Sequence, residues 1–478
     1  MLEDSRLRSA VDWAAARGAS YTDARYVERE SESVAVKDGQ IEGADRDSDR
    51  GVGVRVLVRG SWGFAASDRA SDDAGLRGLF AEALDRATAS ASLQRRAVVL
   101  APQTAQRGEY RTPLVRDPFG VALIERIALL READAALTTP NAKSRRSSVA
   151  AFRTRKRLVT SDGTDVTQEI VECGAGLNVT AAKAGAKPAT RSDMRNVGQA
   201  GWEFVEACDV VGHARTFARD VEAVLGARPA VERPTTLVID QSFLALLVHE
   251  SCGHPTESDR VLEHEVAFAG TTFLWPDDRG ALRYGSAHVN MTADATVVGG
   301  MGTFGWDDDG VAATRTPLVE RGIFTGYLSS RETAGALGIG RSGGSARAES
   351  WQHFPIVRMV NVSLEPGETS YADLLRGVDD GLLLEHPASY SLDDKRQNFH
   401  FSTQVAHVIR NGEIGEYVRG VAFQSLTPDF WGSCDGVADD WELHGFLTCA
   451  KGEPLQLMRV GHGAAHARFR DRPIEVRA

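Results

Sequence analysis

At 478 residues, 42% hydrophobic and 25% charged, the chain has an ordinary globular composition, which excludes a disordered, collagen-like or small disulfide-stapled protein. Its 55 basic and 66 acidic residues give a net charge of −11, which argues against a nucleic-acid coat or a binder of anionic membranes. Five cysteines (Cys173, Cys208, Cys252, Cys434, Cys449) form no disulfide framework, and MLEDSRLRSAVDWAAARGAS lacks the apolar core of a signal peptide. A cytoplasmic setting is therefore expected. The longest apolar run, around Phe243–Val248, is far too short to span a membrane.

Residues 4–18 carry apolar positions at helical spacing. Strand-like runs follow, broken at Asp38-Gly39 and Arg59-Gly60, as in a meander of hairpins. A helix fits Asp72–Ser92, with Leu76, Leu79, Phe80 and Leu84 on one face, and 100–117 reads as a linker. Residues 118–138 read as helix, 147–183 as three strands with Asp162-Gly163 at the clearest turn, and 211–226 as helix. Pro229 and Pro234 mark a boundary, after which the chain is richer in glycine and strands, with helices at 241–252 and about 370–377. Helices and strands segregate without βαβ alternation, so the predicted class is α+β: an N-terminal α/β region of hairpin meanders, then a larger strand-rich C-terminal domain carrying a metal-site helix.

The chemistry concentrates in TTLVIDQSFLALLVHESCGHPTESDR (235–260), read as a buried strand, then a helix ending near His249-Glu250, with His254 beyond it. Two histidines and an adjacent glutamate suit zinc, with the carboxylate as base toward water. On a regular helix, however, positions five apart point about 140° from one another and share no metal. Gly253 and Pro255 supply one remedy, a left-handed helix end; a π-bulge supplies another. Glu257, Asp259, His264, Cys434 and Cys449 are all candidates for a third ligand, whereas Cys252 is expected to pack as a small hydrophobe.

His249-Glu250-Ser-Cys-Gly-His254, with Glu257 and Asp259 after it, resembles the H-E-x-x-x-H-x-x-E-x-D signature of the TldD/PmbA metallopeptidases. Similarity extends to SVAVKDGQIEGADRDSDRGVGVRVLVRGSWGFA from Ser33, to Asp307–Gly338 and to Glu349–Gly367. The resemblance implies a TldD-like, metal-carrying chain with domains at 1–100, 101–230 and 231–478. It also implies a cysteine ligand in GFLTCAKGEPLQ, at Cys449, although Ala450 and Glu453-Pro454 depart from the family pattern and Cys434 remains the competing choice. The expected function is a zinc-dependent endopeptidase holding one Zn2+ on His249, His254 and Cys449, with Glu250 as general base. The resemblance further implies flexible or unfolded peptides as substrate and a dimer, either with itself or with a metal-less PmbA-like paralogue. The family's gyrase-modulator label finds no support for direct nucleic-acid binding in this acidic composition. Two rivals stand: a non-catalytic peptide-binding modulator, and a metal-dependent amidohydrolase of a small molecule.

His353 and Arg358 are candidate substrate contacts beside the metal, against the simpler reading of an edge strand with a satisfied histidine. Asp307-Asp308-Asp309-Gly310 reads as an exposed turn, Arg153–Arg157 as a solvated face, and Gly299–Gly305 as a glycine-rich loop without a phosphate-loop lysine. The glycine-rich strands after residue 285 are the expected edge for an extended peptide.

Overall fold

Asp38-Gly39 and Arg59-Gly60 both hold two consecutive positive-φ residues, at +50° and +81° and at +52° and +76°. That is the backbone of the tight turns whose twist suits a hairpin. They connect Tyr21–Lys37, Gln40–Val58 and Ser61–Ser67, antiparallel neighbours in a seven-stranded sheet. The computed structural model describes residues 4–476; Met1–Glu3 of the charged N-terminal run lie outside it. The sheet continues through Ala142–Thr160 and Asp165–Ala181 to Arg107–Arg111 and Ala189–Gly198.

Three expectations are corrected here. The stretch 147–183 contributes two long strands rather than three short ones, because the polar residues taken as turn signals are paired across the sheet. Arg153 bonds to Glu30 and Asp117, Arg155 to Glu28 and Glu169, and Arg157 to Asp165, so this run is no merely solvated face. The supposed linker also contains a strand, Arg107–Arg111, parallel to Asp165–Glu169.

Two cores lie on this one sheet. Helices Asp4–Ala15 and Asp73–Ser90 bury Leu7, Val11, Leu76 and Phe80 against Ala24, Tyr26 and Val159. Helices Leu123–Ala136 and Val210–Gly226 bury Leu130, Phe217 and Val221 against Val34, Val36 and Val149. The 17-residue strand Tyr21–Lys37 thus serves both cores, so residues 1–100 and 101–230 share a continuous sheet. Gly63 is required here by close approach, since a Cβ would overlap the Ala83 carbonyl of the covering helix.

A nine-stranded sheet organises the C-terminal part, with Pro234–Ile239 between Ala467–Pro473 and Asp380–Leu392. Asp240 caps the next helix, Gln241–Val248, its carboxylate accepting the Phe243 N–H at 2.7 Å. That helix drives Phe243 against Phe401 and Phe423 in the largest core.

The loop 307–310 docks on the seven-stranded sheet and overturns the exposed-turn reading: all three aspartates are buried. Asp309 accepts from Arg55 Nη2 and from the Arg331 N–H, both at 2.9 Å, and Arg55 also donates to Asp23 at 2.8 Å. Asp308 pairs with Lys156 and Arg25. Gly299–Gly305 is likewise packed: Gly302 donates to Asn361 Oδ1 and Gly305 to Gln168 Oε1, each at 2.8 Å. Among the described residues, no helix is long and apolar enough to cross a membrane.

Candidate metal centre

Helix Gln241–Val248 does not continue as α-helix to residue 252. It opens into a π-turn over His249–Gly253, closed by the His254 N–H donating to the His249 carbonyl, five residues back. The extra residue in the turn brings the two histidines together, with ring centroids 4.8 Å apart. Of the two remedies for the five-residue spacing, the π-bulge is the one adopted. Gly253 stays right-handed at φ −55°, and its missing side chain serves another end: a Cβ there would overlap Met359 Sδ.

The third donor comes from the hairpin Glu442–Lys451/Gln456–Ala464. Ligand atoms of His249, His254 and Cys449 lie within 4.8 Å of one another, all three residues buried. Cys449 Sγ is 3.7 Å from His254 Nε2. A nitrogen and a sulfur on one tetrahedral zinc stand about 3.6 Å apart, so the Cys449–His254 pair already has the separation that ion needs.

Hydrogen bonds fix which ring nitrogens face the centre. His462 Nδ1 lies 2.8 Å from the Val362 carbonyl, an acceptor only, so it carries the proton and leaves Nε2 as acceptor. His249 Nδ1, 2.7 Å from that Nε2, must then be the donor, which frees His249 Nε2 for a metal. His254 Nδ1 faces Glu257 Oε2 at 2.9 Å, the carboxylate–histidine arrangement that likewise frees Nε2. Burial holds both His249 and His254 below the ordinary histidine pKa, hence in the neutral form a metal needs. Burial opposes ionisation of the Cys449 thiol, and the buried Arg358 guanidinium favours it.

Glu257 and Asp259 support the site rather than line it. Burial alone would raise the Glu257 pKa, yet Lys451, His254 and Arg260 hold it well below the carboxylate range. Lys451 Nζ reaches both Asp259 oxygens at 2.8 and 2.9 Å, the Val357 carbonyl at 2.7 Å and Glu257 at 3.3 Å. The signature segment and the cysteine hairpin are therefore clamped by buried charge. Arg358, expected at the substrate, is fully buried and donates to the carbonyls of Cys449 and Gln456; it positions the hairpin and has no surface for a substrate.

The other candidates lie elsewhere. Cys434 is buried beside the Gly436 carbonyl, and burial pushes its thiol up to about 12. His264 and His353 both line a cleft of about 520 Å³, with Trp62, Phe64 and Phe354, that none of the three clustered donors lines. His353 Nδ1 is 3.0 Å from Ser350 Oγ, and the structure does not bring it to the cluster. Glu250 is buried beside the donors, its Oε2 3.2 Å from Arg396 Nη1. Sequence reasoning missed His462 and Arg396, which meet His249 and Glu250 from far along the chain, outside any motif.

Cys449→Ser is expected to lose zinc on dialysis while Cys434→Ser keeps it, because a hydroxyl lacks the charge and softness of thiolate. Metal analysis of both variants decides, and equal retention would remove Cys449 from the set.

Two imidazoles and a thiol gathered in the C-terminal part make a donor set of the kind that holds a metal ion. Residues 22–91, 116–224 and 232–472 match, in order, domain 1, the central domain and the C-terminal domain of the PmbA/TldA metallopeptidases, and the chain belongs to that family. A metalloprotease of Synechocystis is 30% identical over 471 residues, covering 95% of this chain and 94% of its own. One from Methanocaldococcus jannaschii is 28% identical over 449 residues, 94% and 95% of the two chains. The fold is shared with TldE from Thermococcus kodakarensis (TM-score 0.75, 16% identity, 98% and 99% coverage). It is also shared with a Thermotoga maritima protein solved under a gyrase-modulator name (TM-score 0.77, 14% identity, 99% and 100% coverage).

Proposed function

We propose that this chain is a zinc-dependent endopeptidase of flexible or unfolded peptides, with His249, His254 and Cys449 as ligands and Glu250 as general base. The observation that carries the reading is the buried cluster of two neutral imidazoles and one thiol beside an unliganded carboxylate. A zinc metalloprotease TldD homolog of Saccharolobus solfataricus, 23% identical over 258 residues (53% of this chain, 54% of its own), supports zinc by its name. A bound zinc supplies Lewis acidity, lowering the pKa of water and polarising a carbonyl. The chain's own residues do the rest: Glu250 accepts a proton from the attacking water and returns it to the departing amine. His462 and Glu257 keep the ring protons away from the centre.

Extended substrates follow from a free sheet edge. Strand Asp380–Leu392 pairs with Pro234–Ile239 only from Gly381 to Leu384, while its other side stays paired to Leu392. Beyond Leu384 it has a ladder partner on one side among the described strands, and this stretch carries Tyr390, beside Glu250. That edge, rather than the glycine-rich strands after 285, is the docking line that adds a peptide as a further strand. Backbone reading of this kind predicts cutting at many sequences in an unfolded chain and sparing of the same chain when folded. The test is one small domain and its destabilised mutant, incubated with the zinc-loaded protein. Cleavage of the unfolded form alone is the expected result, and equal cleavage of both would overturn the reading.

A further inference from the structure

The contacts of Glu250 lead to a second group of residues. Strands Asp380–Leu392 and Asn398–Arg410 are joined by a tight turn organised by Asp393, whose Oδ1 accepts the N–H groups of Gln397 at 2.8 Å and Asn398 at 3.2 Å. Within it the Arg396 N–H donates to the Asp393 carbonyl at 3.0 Å, and Thr427 Oγ1 donates to the Arg396 carbonyl at 3.0 Å. Arg396 is held at φ +61°, a left-handed conformation that a long side chain adopts only when its surroundings impose it. The turn carries the guanidinium back onto Glu250, with Nη1 3.2 Å from Oε2. Its Nε–H is buried without a partner. Tyr390, on the other arm of the hairpin and half exposed, faces the same carboxylate. Burial, then the Glu250 charge, push its phenol up, so it stays an O–H donor.

We propose that Arg396 and Tyr390 are further catalytic residues, donating hydrogen bonds to the scissile carbonyl oxygen as it acquires charge. The proposal rests on the peptidase reading above. Water adds to the carbonyl carbon, one of its protons passes to Glu250, and the carbonyl π pair moves onto oxygen. Arg396 Nε–H and the Tyr390 hydroxyl are the donors for that oxyanion. When the electron pair returns, the C–N bond breaks and the Glu250 proton goes to the departing nitrogen. The Arg396 Nε–H is held beside the base without a partner before substrate arrives and needs no reorganisation during the reaction, which is where such a group has its largest effect; the Tyr390 hydroxyl turns from Glu250 to the oxyanion as Glu250 takes up the proton. Because Arg396 lies on the turn and Tyr390 on the free edge strand, a peptide docked along that edge brings its backbone to both.

The test uses zinc-loaded full-length protein and an unstructured casein peptide that the parent cuts. Arg396→Ala is expected to lower kcat by about 10²-fold or more, with KM moving less than about 3-fold. A phosphinic analogue of the mapped cut site, whose tetrahedral phosphinate mimics the oxyanion, should lose affinity by a similar factor in calorimetry. Amide-peptide affinity, measured with Glu250→Gln present, should stay within about 3-fold. Arg396→Lys keeps a cation for Glu250 without the fork, so full recovery of kcat in it would overturn the oxyanion role, as would equal losses of phosphinate and amide binding. If Arg396→Ala does not fold, Tyr390→Phe carries the same comparison: selective loss of phosphinate binding supports the proposal and unchanged binding refutes it. Parental cutting that survives in Arg396→Ala defeats this proposal alone. A parent that cuts nothing defeats the peptidase reading and this proposal with it.

Discussion

Glu250→Gln is expected to retain its metal and to lose peptide hydrolysis by at least about 10²-fold. The carboxylate lies outside the three-donor cluster, so the amide removes a base and not a ligand. The replacement is nearly isosteric, and its side-chain oxygen can still accept from Arg396, so the buried contact at 3.2 Å survives. Zinc content by mass spectrometry and turnover of an unstructured peptide should therefore part company. Parental turnover would refute the role of base, and loss of zinc would make Glu250 part of the binding site.

Lys451→Met is expected to destabilise the fold by about 3–5 kcal/mol, the cost of breaking a buried ion pair. Lys451 is fully buried, and methionine has similar bulk, so the loss is of charge and not of packing. What remains are Asp259 and Glu257, both buried, deprived of an ammonium at 2.8, 2.9 and 3.3 Å. The same change frees the hairpin two residues beyond Cys449, so zinc affinity should fall as well. Urea unfolding with and without chelator measures both effects. Adding Asp259→Asn should recover part of the stability, since the stranded carboxylate is then neutral; an unchanged midpoint in Lys451→Met alone would show that the clamp is not structural.

The part of the site written within a few residues was legible. His249, Glu250 and His254 stand in one turn, and their awkward spacing already pointed to a π-bulge as one of two solutions. The choice between them shows only in the fold, where the His254 N–H donates to the His249 carbonyl. Cys449 came from resemblance, because the spacing to a hairpin 195 residues from His254 carries no periodic signal. His462 and Arg396 were invisible for the same reason, meeting His249 and Glu250 across 213 and 146 residues. Asp307–Asp309 were misread because acidic clusters usually face water; here their partners Arg55 and Lys156 lie 254 and 152 residues away. Turn dipeptides fared better, since the positive φ at Asp38-Gly39 is a local demand that local residues meet.

Titration of the metal-free chain with zinc, following cleavage of an unstructured polypeptide, tests the central claim most directly. With one site built from His249, His254 and Cys449, cleavage should be absent in chelator and rise linearly until one zinc is bound per chain. Cleavage that persists in chelator, or a fully loaded chain that cuts nothing, would contradict it.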